Sequence, residues 1–360
     1  MRIFFDCRMI THPGIGRYIK ELLFYLLQFK NLEVVCLGEK KYISKILKVS
    51  SSRMIEFDYP IYSLQEQIGF LKLRRIIKEG ILHIPHYNIP VFCKCKLVVT
   101  IHDVIHLLYP QSAKSRMAPF YMRVMIDNIF RKASKIVCVS NTTKNYLAQQ
   151  FPYYFNKFSY KIEVIYEGIS SNFRKIENSN VLRQVKDKYN LPDKFILYVG
   201  SIRKHKNISA LIKAVGELTK ILPFIKLVLV GRESFFKIKF PEYVRYLGEV
   251  NDEDLAVIYN LSSVFCSLSL CEGFGFPVLE AQKCGVPVVC SDIPVFNEIL
   301  KDTAIFVNPT QVDHIKEALY NVLKNEELRR TLIKKGLENA SGFRWDITAN
   351  KTAKLYYEIS

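Results

Sequence analysis

The chain has 360 residues, enough for two domains, and its 49% hydrophobic and 24% charged residues exclude a disordered or fibrous protein. Its net charge is +18 and uneven: residues 1–170 carry 25 Lys/Arg against 12 Asp/Glu, a balance of +13, and residues 171–360 carry 27 against 22, a balance of +5. No apolar run reaches the roughly 18 residues needed to cross a bilayer, and nine cysteines without framework spacing point to reduced thiols in a cytosol.

The first residues, Met1-Arg2-Ile3-Phe4-Phe5-Asp6, place Asp6 where a signal peptide needs its apolar core, so the segment reads as a first β-strand of a cytoplasmic protein. Further strands are expected at 33–37, 81–84, 97–101, 135–139 and 163–166. A second series is expected at 195–199, 226–230, 245–247, 264–268, 286–290 and 304–307. Val/Ile/Leu-rich strands alternating with helical patterns indicate parallel sheets covered on both faces. Two such series indicate an α/β protein of two doubly wound, Rossmann-like domains. The polar stretch 168–194, which ends in Leu191-Pro192-Asp193, reads as the linker. The expected domains are 1–170 and 171–342, with a last helix over 343–360.

Ligands of such sheets bind beyond the carboxyl ends of the strands, which sorts the loops. After the first strand comes Pro13-Gly14-Ile15-Gly16-Arg17, a G-x-G too short for a full dinucleotide fingerprint, opening a helix with Ile19, Leu22, Leu23 and Leu26. Its glycines fit a loop that lets a ligand's phosphates approach closely, or a tight turn; Arg17 reads as a phosphate contact or a solvated helix residue. His83 and His86 end one strand and His102-Asp103 another; Asp103 would orient His102 or the loop. Residues 112–135 interleave Lys114, Arg116, Arg123, Arg131 and Lys132 with Met117, Phe120, Tyr121 and Phe130. Such a helix suits an anionic membrane surface or a sheet-packed helix with a solvated basic edge. After 195–199 comes Gly200-Ser201-Ile202-Arg203-Lys204-His205-Lys206-Asn207, where Arg203 and Lys206 set cations beside a glycine at a strand end, able to meet phosphate charge without a metal, or form a solvated basic turn.

Cys271-Glu272-Gly273-Phe274-Gly275-Phe276-Pro277-Val278-Leu279-Glu280 follows the strand 264–268. Its glycines allow positive φ and close approach of a ligand, and the helix start favours an anion. Carboxylates accept from hydroxyls, so Glu272 and Glu280 beside a phosphate-friendly helix start suggest a sugar nucleotide. Cys93-Lys94-Cys95 is too tight for a zinc pair, and His102/His106 lack a third ligand. The Asp252-Glu253-Asp254 triplet suits a helix N-terminus rather than a metal. No metal and no cofactor is expected, and no nucleic-acid recognition motif is present.

Together these segments resemble a retaining glycosyltransferase of family 4, with the GT-B fold of two domains facing across a cleft. Glu272-x7-Glu280 with Cys284-Gly285-Val286-Pro287-Val288, Gly14-Ile15-Gly16-Arg17-Tyr18, Thr100-Ile101-His102-Asp103, and Tyr198-Val199-Gly200 with Lys206-Asn207 carry the resemblance, which extends to Phe343-Arg344-Trp345 before the last helix. Bacterial surface-polysaccharide mannosyltransferases are the most similar subgroup. The resemblance implies that Glu272 contacts donor-sugar hydroxyls, Glu280 the ribose, and His102 the sugar from the N-terminal domain. Gly14, Gly16, Arg17, Gly200, Gly273, Phe274 and Gly275 would line the donor. Glu298 is a further candidate. The subgroup usually has Arg before the lysine; here that position is His205, and Arg203 is the substitute. The implied reaction moves a hexose, mannose from GDP-mannose, to a hydroxyl of a lipid-linked glycan for lipopolysaccharide O-antigen or capsule, by a cytoplasmic enzyme peripheral on the membrane. Alternatives are another donor such as UDP-glucose, an epimerase or phosphorylase on the same fold, and a non-catalytic basic binding protein.

Overall fold

A computed structural model describes every residue except Cys93, Lys114 and 233–238. The Cys93 half of the tight cysteine pair and the charge of Lys114 therefore lie outside the described residues. The chain divides into two units: Met1–Gly168 with Arg344–Ser360, and Ile169–Phe343.

The N-terminal unit holds seven parallel strands: β1 (Arg2–Asp6), β2 (Glu33–Gly38), β3 (Met54–Glu56), β4 (Ile81–Ile84), β5 (Lys96–Ile101), β6 (Lys135–Cys138) and β7 (Ile162–Val164), in the order β3-β2-β1-β4-β5-β6-β7. The helix Ile15–Leu26 buries Tyr18, Ile19, Leu22, Leu23 and Leu26 at helical spacing. The last helix, Trp345–Ile359, belongs to this unit: Trp345 packs on Tyr18 with ring centroids 5.7 Å apart, and Thr348 Oγ1 donates to the Tyr166 carbonyl at 2.7 Å. Gly168 makes this possible, since a Cβ there would sit 2.3 Å from the Trp345 nitrogen.

The second unit holds six parallel strands: β8 (Phe195–Val199), β9 (Lys226–Val230), β10 (Val244–Gly248), β11 (Val264–Ser267), β12 (Val288–Ser291) and β13 (Ile305–Val307), in the order β10-β9-β8-β11-β12-β13. Each sheet reverses its winding at one point, between β1 and β4 and between β8 and β11, where such sheets bind ligands.

Three expectations need correction. The three-residue strand β3 is absent from the sequence reading, being too short for a periodic signal. The expected strand 286–290 begins only at Val288, because Pro287 has no N–H to donate to a ladder. The polar stretch 168–194 is not a bare linker. It contains the helix Ser179–Lys188, which buries only Val185 and is capped by the Asn178 side chain. Its apolar positions, Val181, Leu182 and Val185, span little more than one turn, a helical period too short to stand out in a polar stretch.

Candidate active site

In the C-terminal unit the switch point brings together two loops distant in sequence. Strand β8 pairs with β11, so the loops that follow them emerge side by side. The first runs from Gly200 to Asn207. Gly200 has φ +150° and lies against Gly231, where a Cβ would meet the Gly200 carbonyl oxygen at 2.2 Å; two strand ends thus pass almost in backbone contact. The Gly200 N–H donates to the Val230 carbonyl at 2.9 Å. A 3₁₀ turn, Lys204–Lys206, and a left-handed Asn207 lead into the helix Ile208–Thr219. The second loop is joined to the first by the Leu270 N–H, which donates to the His205 carbonyl at 2.7 Å.

The outcome is a close pair of opposite charges. Lys206 Nζ donates to Glu272 Oε1, and the Ser269 hydroxyl donates to the same oxygen at 2.7 Å. Both charged side chains are largely buried, Lys206 at 18% and Glu272 at 15% exposure. Burial alone would raise the Glu272 carboxyl, but the Lys206 ammonium and the Ser269 hydroxyl outweigh it and hold the group below its ordinary value. Glu272 therefore stays an acceptor, paired with the Lys206 amine beside a glycine-rich strand end. Arg203 projects into solvent from the same loop, while His205, in the position where the subgroup has Arg, is buried.

Glu280 occupies a different environment. The helix Phe276–Lys283 starts after Gly275, whose φ is +110° and whose Cβ would lie 2.8 Å from the Phe296 ring. Glu280 is buried within this helix and accepts from the Tyr259 hydroxyl at 3.0 Å. Phe274 packs among Phe276 and Phe343, so its role in this unit is to seat the loop. Gly273 is buried beside it, and Glu298 is half-buried on the helix Pro294–Leu300. Asp252, Glu253 and Asp254 form the first turn of the helix Asp252–Leu261, capped by Asn251; Asp254 accepts from Lys188 at 2.6 Å and from the Tyr189 hydroxyl at 2.8 Å.

In the N-terminal unit, Gly14 caps the helix Ile15–Leu26 with φ +80°, and Gly16 is required because a Cβ would meet the Ile10 carbonyl oxygen at 2.5 Å. Arg17 is half-buried in the first turn. His102 follows β5. Its Nε2 donates to the Pro85 carbonyl at 3.1 Å, its Nδ1 lies 3.0 Å from Glu167 Oε1, and the edge of Tyr18 meets its ring at 4.8 Å. The neighbour of the His102 ring is thus Glu167, while Asp103 accepts from the Ile105 N–H at 2.9 Å and shapes the loop. Glu167 was missed in the sequence because it falls just before the presumed linker. The signal was present: a carboxylate beside a glycine at the carboxyl end of a strand. His83 is a structural residue, held between Tyr356 and Thr100, and burial followed by the nearby His102 lowers it to about 3, so it stays neutral. His86 is buried near Asp6. Among the described residues no group of three or more His, Cys, Asp and Glu side chains is placed to hold a metal.

Comparison with known proteins bears on the family and the fold. Residues 13–173 match the family profile described as Glycosyltransferase Family 4, and residues 183–339 match that described as Glycosyl transferases group 1. The chain is 28% identical over 386 residues to O-antigen chain mannosyltransferase B of Escherichia coli, covering 99% of each. It is 31% identical over 282 residues to the serotype-specific mannosyltransferase WbdA of Escherichia coli, covering 74% of this chain and 33% of that longer protein. Among solved structures, Anabaena Alr3699/HepE in complex with UDP and glucose superposes with a TM-score of 0.79 at 17% identity, covering 98% of both chains, a likeness of fold. With its two parallel-sheet domains, the chain belongs to the glycosyltransferases of the GT-B fold, a family 4 domain followed by a group 1 domain.

Proposed function

We propose that this enzyme transfers mannose from GDP-mannose to a hydroxyl of a lipid-linked glycan during bacterial surface-polysaccharide synthesis, with retention of configuration and without a metal ion. The observation that carries the reading is the Lys206–Glu272 pair at the β8/β11 switch point. The donor sugar is taken from the relatives named O-antigen chain mannosyltransferase B and WbdA.

The chemistry follows from the residues. Breaking the glycosidic bond places negative charge on the leaving diphosphate. Lys206 supplies an ammonium for it, with Arg203 as a second, exposed cation from the same loop, and the N-terminus of the helix Ile208–Thr219 adds its dipole. Glu272, kept ionised, accepts from hydroxyls of the sugar and orients it. Glu280 serves the nucleotide end, with Tyr259 fixing its carboxylate. His102, held by the Pro85 carbonyl and packed against the edge of Tyr18, is the N-terminal unit's candidate contact with the sugar. A carboxylate committed to a lysine is a poor nucleophile, which favours attack from the face the diphosphate leaves. With the leaving-group charge met by protein cations, the reaction requires no divalent ion.

The test is transfer to a synthetic lipid-diphosphate-linked saccharide. The expected result is a mass gain of one hexose from GDP-mannose, retained stereochemistry by NMR, and no transfer by Glu272→Ala. Turnover of UDP-glucose but not GDP-mannose would overturn the donor assignment.

A further inference from the structure

Tyr62 is the one aromatic residue among the described non-glycine positions with positive φ. Its φ of +69° is strained for so large a side chain, and such strain persists only where neighbours impose it. Lys48 and Lys301 share the feature where helices end, whereas Tyr62 lies in the loop between β3 and the helix Leu64–Ile77. Buried charge holds it there. The Tyr62 N–H donates to Glu66 Oε2 at 3.0 Å. Glu66 is fully buried, pairs with Arg8 at 2.6 Å and accepts from Asn88 Nδ2 at 2.5 Å. Arg8 in turn pairs with Asp6 and donates to the Tyr59 carbonyl at 3.2 Å, and Asn88 accepts from the Tyr121 hydroxyl. A buried ion network adds little stability that apolar packing would not supply. Here it fixes the position of aromatic rings.

Tyr62 is 51% exposed, and its ring lies 5.9 Å from that of Tyr87 and 5.7 Å from that of Tyr121, both half-buried. The Tyr62 and Tyr87 hydroxyls hydrogen-bond to each other. Burial, with the Asp103 carboxylate nearby, raises both phenols above their ordinary range, so both stay neutral donors. The cluster sits beside His102: Tyr87 is two residues past Pro85, whose carbonyl holds the His102 ring, and Asp103 is the next residue in the chain. Ring faces cover the C–H surface of a sugar, while phenols and a carboxylate meet its hydroxyls.

The loop that carries Tyr62 also walls a cavity of about 150 Å³, lined by Arg8, Glu39, Tyr42, Asp58 and Tyr59 beyond the carboxyl ends of β1, β2 and β3. The Tyr59 ring is seated over Gly69, where a Cβ would lie 2.5 Å from it. Carboxylates and phenols again line one space. From β5, which positions His102, to β2 is three strand spacings, about 14 Å and more than one sugar ring spans.

We propose that Tyr62, Tyr87, Tyr121 and Asp103 form a platform for the acceptor's terminal sugar, and that the cavity between Glu39, Tyr42, Asp58 and Tyr59 takes an earlier sugar of the same chain. The enzyme thus reads the body of an oligosaccharide, not a single sugar. This deepens the glycan-acceptor reading and rests on it for its purpose only, since saccharide binding is measured without donor.

The test is ligand-observed NMR titration of the full chain with manno-, gluco- and galacto-oligosaccharides of one to four sugars. One series should bind, with affinity rising about tenfold from one sugar to three. Tyr62→Ala should weaken every length about tenfold. Tyr62→Gly should weaken binding equally yet melt above Tyr62→Ala, because glycine relieves the positive φ. Tyr42→Phe/Asp58→Asn should weaken the longer saccharides about tenfold and leave the single sugar unchanged. Tyr153→Ala, exposed on the helix Pro152–Phe158, should change nothing. Length-dependent binding by a chain that transfers no sugar would reject the transferase reading and not this one. Absence of binding by all three series, affinity that does not rise with length, or affinity insensitive to Tyr62 would each overturn the proposal.

Discussion

Replacing Lys206 with methionine tests both the stability and the chemistry assigned to the pair. In the wild type, Glu272 has two donors, Lys206 and Ser269, in a site where it is only 15% exposed. Removing the ammonium leaves a poorly solvated carboxylate with a single neutral hydroxyl. Breaking a fully buried pair costs about 3–5 kcal/mol; partial exposure of both side chains reduces this to about 2 kcal/mol. In a unit the size of residues 169–343, that lowers the melting temperature by about 4–8 °C. Lys206→Met/Glu272→Gln, which removes both charges, should recover most of the loss, because no unpaired charge remains. The sign of the pH dependence follows. Glu272 lies below its ordinary value of 4.5 in the folded state, so its stabilisation is present above that pH and disappears as pH falls through the lowered value. The stability difference between wild type and Lys206→Met should therefore shrink in acid. Activity should not recover in the double variant: loss of the ammonium alone should reduce kcat by about 2–4 kcal/mol, or about 30- to 1,000-fold. Calorimetry at pH 7 and pH 4 with a donor-turnover assay measures all of this. Additive losses in the double variant, or a Lys206→Met enzyme as stable and active as wild type, would refute the reasoning.

Gly275→Ala should lower stability by about 1–3 kcal/mol, since φ +110° and a Cβ 2.8 Å from Phe296 both oppose it, and nucleotide affinity should fall with it; a wild-type melting temperature would contradict the assigned geometry. Glu167→Gln removes the negative charge 3.0 Å from His102 Nδ1 and should lower kcat while the nucleotide Kd stays constant in titration calorimetry; an unchanged kcat would reject a role for Glu167. Glu280→Gln should keep the melting temperature near wild type, as an amide still accepts from Tyr259, and should weaken nucleotide binding in the same titration. A chelator should leave turnover unchanged; loss of turnover restored by magnesium or manganese would reject metal-free departure.

The sequence and the structure agree best where one physical signal dominates. Strands β1, β4, β8 and β9 have the expected bounds because short, mainly apolar runs stop at a breaker or polar residue: Asp6 for β1, Pro85 after β4, Gly200 after β8 and Gly231 after β9. The loops at the carboxyl edges were also identifiable, because parallel winding places every strand-to-helix loop on one edge. What was not legible depends on pairing between distant segments. The Lys206–Glu272 contact spans 66 residues and exists only because β8 lies beside β11, and no local pattern encodes that adjacency. For the same reason Glu167, three residues beyond the short strand β7, was not linked to His102, 65 residues earlier in the chain. Phe274, read as a donor contact, has a buried aromatic environment because Phe343 reaches it from the far end of the unit.

The most direct measurement is nucleotide binding followed by thermal shift, using GDP, UDP, ADP, CDP and dTDP with their sugar conjugates, on wild type and Lys206→Ala. The account predicts a rise with GDP and GDP-mannose that is lost in the variant. A rise with another nucleotide alone would contradict the donor assignment, and a GDP-dependent rise that persists without Lys206 would contradict the site.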